Sequence, residues 1–132
     1  MRSLSITTAL VLLVCSAGVS ADSHGAHNLI CSPSNTFKCD ANGNCARGGA
    51  TEVKLDHFLE VDLTKKTITG VSSGRTSPIG SVEKIEGMTV LHGAQNGRAW
   101  SASIADETGA MTIAVAGKSE SFTVFGACMA AK

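Results

Sequence analysis

Histidines, cysteines and a few serine, arginine and acidic residues are the side chains in this sequence whose spacing suggests chemistry. The sharpest pattern is Asp22-Ser23-His24. If the chain is cut after Ala21, the new Asp22 amine, the next two backbone amides and the His24 imidazole can place four nitrogens in one plane. Cu(II) and Ni(II) favour that arrangement. His27 stands near enough in sequence to add a further donor. His57 and His92 form a second constellation, each on the apolar phase of an expected strand: His57 lies between Leu55 and Leu59, and His92 follows Met88 and Val90. Facing inward together, the two imidazoles would share a cavity and offer a metal or ligand site. The plainer alternative for each is a hydrogen-bonded histidine of the core or rim. Trp100 is the only tryptophan in a chain without tyrosine. It is expected to anchor the core or line a pocket, with Arg98 on the same face at the rim.

Signatures of catalysis are thin, and the chain is read as non-enzymatic. Ser81-Val82-Glu83-Lys84 reproduces the S-x-x-K string of penicillin-recognising enzymes, where a helix brings serine and lysine together. In an expected strand the same two side chains point to opposite faces. Glu60 and Asp62 share a face as paired carboxylates do, but alternate acids on an outer strand face are ordinary solvation. Charge excludes other classes: 11 Lys and Arg balance 11 Asp and Glu. Counterion release needs a basic face, so neither nucleic acid nor an anionic membrane surface is an expected partner.

The first residues set the expected compartment. Arg2, the apolar stretch around residues 9–14 and the small residues ending at Ala21 have the layout of a secretory signal peptide over 1–21. The apolar run is too short to span a bilayer, so a secreted or periplasmic location is expected, without stable membrane insertion. Removal of Cys15 with the signal leaves Cys31, Cys39, Cys45 and Cys128, an even set that should pair in an oxidising space. Of the three connectivities, Cys39–Cys45 around Asp40-Ala41-Asn42-Gly43-Asn44 and Cys31–Cys128 across the ends of the domain are preferred. A zinc site is disfavoured because paired C-x₂₋₄-C knuckles are absent.

These candidates must be positioned by strands. Residues 22–35 read as an extended arm pinned at Cys31, and 36–132 as a single β-domain. Asn42-Gly43 is a hairpin signal. From 52 to 63, Val53, Leu55, His57, Leu59, Val61 and Leu63 alternate with polar residues, the pattern of one long half-buried strand. Thr64-Lys65-Lys66 turns the chain into 67–71, and 72–78 reads as a loop. Strands over 79–85 and 88–92 meet at Glu86-Gly87, with a turn over 93–97. Later strands carry Trp100, Ala102 and Ile104, then Met111, Ile113 and Val115, then Phe122, Val124, Gly126 and Cys128. Phe58 and Phe125 fall off the apolar phase, and either form an outer apolar spot or are covered by a loop or the N-terminal arm. About eight short strands joined by tight turns predict an all-β antiparallel meander closed or nearly closed into a small barrel, with a two-sheet sandwich as the alternative.

The stretches Asn96-Gly97-Arg98-Ala99-Trp100-Ser101, Thr108-Gly109-Ala110-Met111-Thr112 and Phe125-Gly126-Ala127-Cys128, with Cys39 to Cys45, resemble small exported proteobacterial proteins of unassigned function. In size and strand content the chain is also similar to the periplasmic inhibitors of c-type lysozyme, which are disulfide-linked β-barrels. Val71-Ser72-Ser73-Gly74-Arg75 resembles their inhibitory Ser-Gly loop, although Pro78 stands where an aromatic residue would follow. The resemblance implies Ser73 and Arg75 as contact residues. The expectation is thus a secreted binding module for a protein or small ligand, using His57, His92, Arg98, Trp100, Ser73 and Arg75. Metal capture by Asp22, Ser23 and His24 is one alternative, and an enzyme without a recognisable motif is the other.

Overall fold

The computed structural model describes residues 25–49 and 53–132. They form ten antiparallel strands: β1 (Asn28–Asp40), β2 (Cys45–Gly48), β3 (Leu59–Asp62), β4 (Thr67–Gly70), β5 (Thr76–Pro78), β6 (Ser81–Ile85), β7 (Met88–Gln95), β8 (Arg98–Ala105), β9 (Ala110–Ala116) and β10 (Glu120–Ala130). They belong to one sheet, ordered β5-β4-β3-β1-β10-β9-β8-β7-β6, with β2 paired to β1 off this path. The expected all-β meander is present, and the two-sheet sandwich is not.

The sheet curls until its two ends are parts of one bent stave. Ile79 and Gly80 alone separate β5 from β6. The Ile79 N–H donates to Lys66 O beside β4, whereas the Gly80 N–H donates to His92 O on β7. The chain therefore changes neighbours within a single residue. Gln95 of β7 stitches the seam, donating from Nε2 to Thr76 O and accepting from the Ser77 hydroxyl. With β5 and β6 counted as one stave, eight staves surround the core, and the free sheet edges that invite association are largely removed.

Inward residues stack in rows across β7, β8, β9, β10 and β1. Gly93, Trp100, Val115, Phe122 and Lys38 form the upper row; Leu91, Ala102, Ile113, Val124 and Thr36 the middle; Thr89, Ile104, Met111, Gly126 and Pro33 the lower. Leu29, Cys31, Leu59, Val61, Ile79 and Cys128 complete the buried core. At the lower end Asp106 is buried, accepting from the Thr89 hydroxyl at 2.8 Å and from Lys84 Nζ at 3.1 Å. That cluster uses the lysine of the S-x-x-K string structurally, and Ser81 lies with it in β6 rather than on a helix.

Both expected disulfides are formed. Cys31–Cys128 links directly opposed residues of β1 and β10, and Cys39–Cys45 closes the β1–β2 hairpin. Of the arm expected over 22–35, the described part enters the sheet at Asn28 and becomes the first half of β1.

The long strand expected over 52–63 is corrected. Only Leu59–Asp62 is strand, and 53–58 is irregular, with Lys54 at φ 57°. The reason lies in the partner. Leu59 pairs with Cys31, so further pairing backwards would set His57 opposite Pro33. The Cys128 N–H is directed to Gly109 O, on the β9 side. Cys31 and then Pro33 consequently face the β3 side, and proline has no N–H to donate there. The ladder stops, β1 bulges between Pro33 and Asn35, and pairing on that flank resumes with β2.

Candidate functional site

The upper end of the barrel is hollow. A cavity of about 550 Å³ opens there, bounded by β3 to β5, the β7–β8 turn, β8 to β10 and the 53–56 segment. It falls within the roughly 300–1,000 Å³ of small-ligand sites.

Alternation along the strands sets its lower wall. On β8 the inward series starts with Arg98 at the lip and Trp100 below it, and Trp100 faces Val115, which faces Phe122. Val124, Leu59 and Ile68 deepen the apolar surface. Trp100 fits because its partner across the ladder is Gly93. A Cβ on Gly93 would stand 2.3 Å from Trp100 Cζ2, closer than real Cβ contacts come. The indole thus covers a glycine and leaves its other side to the cavity.

The rim is polar and rigidly tied. Asp56 projects from the irregular 53–58 segment over Gly70, where a Cβ would meet its Oδ2 at 2.2 Å. Its carboxylate accepts from the Ser73 N–H at 2.8 Å, the Ser72 N–H at 3.0 Å and the Ser73 hydroxyl at 2.9 Å. The Ser73 backbone bond is the main reason that the Asp56 carboxyl is held below the ordinary carboxylate range, with the Ser73 hydroxyl, the Ser72 amide and Arg75 adding to it against partial desolvation. Arg75 donates from Nε to Ser73 Oγ at 3.3 Å and from Nη2 to Lys54 O. This web fixes the 71–75 loop against the 53–58 segment.

Across the mouth, Glu120 bridges two cations, Lys38 at 2.8 Å and Arg98 at 2.6 Å. Lys38 chiefly, then Arg98, lowers the Glu120 pKa. Both cations also cap the Phe122 ring, with Arg98 Cζ 5.3 Å and Lys38 Nζ 5.6 Å from its centre. Lys54 lines the cavity, and its ammonium has no hydrogen bond or ion pair among the described residues.

Four of the expected ligand residues meet here: Trp100, Arg98, Ser73 and Arg75 all line the cavity. The shared histidine site is corrected. His57 is exposed on the irregular segment, and His92 is exposed on the outer face of β7. The inward phase of β7 is Thr89, Leu91 and Gly93, because Asp106 satisfies the Thr89 hydroxyl and Gly93 makes room for Trp100. The apolar phase of Met88 and Val90 points outward, and a one-residue phase error moves every side chain of a strand to the other face. Asp22, Ser23 and His24 lie outside the described residues. As for the two alternatives for Phe58 and Phe125, both side chains are exposed, and Phe125 meets Phe37 edge-to-face at 6.2 Å.

Sequence reasoning missed Lys54, Asp56 and Gln95 as rim residues. Asp56 and Lys54 sat in the polar phase of an expected strand and looked like solvated charges; Gln95 carried no signal. Phe122 was legible only as an inward residue.

Chemically, the arrangement offers apolar surface beneath a cationic lip. The Ser73 hydroxyl donates to Asp56 and accepts from the Arg75 N–H at 3.2 Å. Compared with known protein families, with curated proteins and with solved structures, the chain gives no match.

Proposed function

We propose that the protein is an extracytoplasmic, non-enzymatic binding module that holds one small ligand in the mouth of its barrel. The single observation behind this reading is the cavity itself, apolar along Trp100, Val115, Phe122 and Val124 and polar at its lip. Ligand sites are typically concave, mostly apolar and largely preformed. The stitched rim meets the last condition, since Asp56 and Gln95 hold the surrounding loops and strands in place. Two disulfides support residence in an oxidising compartment. Among the described residues no helix is long and apolar enough to cross a membrane.

Trp100, the sole tryptophan, reports on the site directly. Titration with the neutral dye N-phenyl-1-naphthylamine is expected to give saturable dye emission excited through Trp100. Val115→Trp, which sets a second indole into the cavity beside Trp100, should weaken it several-fold, and Phe125→Ser on the outer wall should not. Absence of saturable binding, or binding lost with Phe125→Ser and kept with Val115→Trp, overturns the proposal.

A further inference from the structure

We propose, resting on the binding reading above, that the mouth selects a single-chain amphiphile with an anionic head. The apolar tail lies along Trp100, Val115 and Val124, and the head sits at the lip beside Lys54. Three observations point this way.

The first is a concentration of charge. The whole chain is balanced, with 11 cationic and 11 acidic side chains. Among the described residues that line the cavity, however, Lys54, Arg75 and Arg98 face Asp56 as the one acid, and beside them Glu120 is held between Lys38 and Arg98. An opening with an excess of one sign of charge over low-dielectric walls focuses its field on an entering ligand.

The second is that both acids are already engaged. Asp56 takes three hydrogen bonds from Ser72 and Ser73, and Glu120 is shared between Lys38 and Arg98. A cationic head would have to break those contacts to find a counter-charge, while an anionic head would not.

The third is Lys54. Its backbone is fixed, since Arg75 donates to its carbonyl, and its side chain has no ionic partner among the described residues. An ammonium that has no ionic partner among the described residues and stands at the edge of the cavity is suited to a carboxylate whose chain goes down the wall. The core beneath closes the cavity with Leu91 and Ile104, each at most 1% exposed. The tail is therefore bounded, which favours a medium-length chain.

The test uses three ligands of equal tail, decanoate, decan-1-ol and decyltrimethylammonium, each titrated below micelle formation against Trp100 fluorescence. Decanoate is expected to bind about tenfold more tightly than the alcohol, equivalent to roughly 1.4 kcal/mol, with the ammonium weakest. Lys54→Gln should lower decanoate affinity to about that of the alcohol, Lys54→Arg should restore it, and alcohol binding should stay constant through both, showing that the cavity is intact. Added salt should weaken decanoate alone. Equal binding of all three, or preference for the ammonium, overturns the charge selection while leaving the pocket reading in place. An anion preference indifferent to Lys54→Gln overturns the assignment of the head. Failure of all three ligands to bind removes this inference, and the pocket reading then stands or falls on the naphthylamine titration.

Discussion

Asp56 shows how one side chain can be worth more than its place in a polarity pattern suggests. Its carboxylate gathers the Ser72 and Ser73 amides and the Ser73 hydroxyl, and in doing so joins two loops that have no ladder between them. Because those bonds favour the ionised form, its pKa is depressed in the folded state. The unfolded chain then binds the proton more readily, so the stabilisation is complete above the ordinary carboxyl pKa of about 3.9 and is lost as pH falls through the lower folded value. Asp56→Ala is expected to melt at a lower temperature than the parent at neutral pH, with the gap narrowing below about pH 4. Paired thermal melts across the acid range check this, and a gap that is constant or widens toward low pH contradicts it. At this scale the sequence was only partly legible. Trp100 and Arg98 stood out because a lone indole on an inward phase must pack somewhere, whereas the role of Asp56 depends on amides sixteen and seventeen residues away.

Among the elements, β1 organises the most. It pairs with β10 along its length and, on its other flank, first with β3 and then with β2. Turn chemistry made most hairpins readable. Asn96 and Gly97 at φ 52° and 74°, and Glu86 and Gly87 at 42° and 80°, adopt the paired left-handed conformations of tight two-residue turns. Strand lengths were less readable, because alternation records the polarity of a face but not the donor that its neighbour lacks. Pro33 ended β3 from across the ladder, and nothing within 52–63 announces that. The same bulged region leaves Thr36 in an awkward position. It lies opposite Val124, only 1% exposed, and its hydroxyl finds no partner among the described residues. A buried polar group without a hydrogen bond is destabilising by roughly 1–3 kcal/mol, and valine matches threonine in shape. Thr36→Val is therefore expected to stabilise the fold by about 1 kcal/mol, seen as a higher urea midpoint at unchanged slope. A loss of stability would show that the hydroxyl is satisfied.

At the scale of the whole molecule, closure depends on chain connectivity and on covalent links of unequal reach. All-β class and barrel curvature were legible, since short alternating segments with tight turns must bury one face against themselves. That four cysteines form two disulfides was legible from their even number, whereas which of three connectivities they adopt was a preference that the β1–β10 and β1–β2 ladders decide. The β5–β6 stave was not legible, because Ile79 and Gly80 carry no special turn signal and change neighbours only once both flanking strands are in place. The two disulfides then act on different entropies. Cys31–Cys128 spans 97 positions and ties the first stave to the last strand, whereas Cys39–Cys45 spans 6 within one hairpin. In the chain-entropy model the long link restricts the unfolded ensemble by about 4.7 kcal/mol and the short one by roughly 2 kcal/mol. Removal of the long link also takes two sulfurs out of the core, where Cys31 and Cys128 are buried; Cys45 is exposed. The double variant Cys31→Ala with Cys128→Ala should therefore lose about twice as much unfolding free energy as Cys39→Ala with Cys45→Ala, measured by urea unfolding monitored at Trp100. Trp100 lies in the upper row with Lys38, next to the hairpin end, so ligand affinity at the mouth should separate the variants in the opposite sense: loosening the hairpin disturbs the lip, while loosening the Cys31–Cys128 link leaves the lip intact as long as the barrel is folded. Equal stability losses, or mouth affinity that follows global stability in both variants, would mean that lip and body are held as one unit.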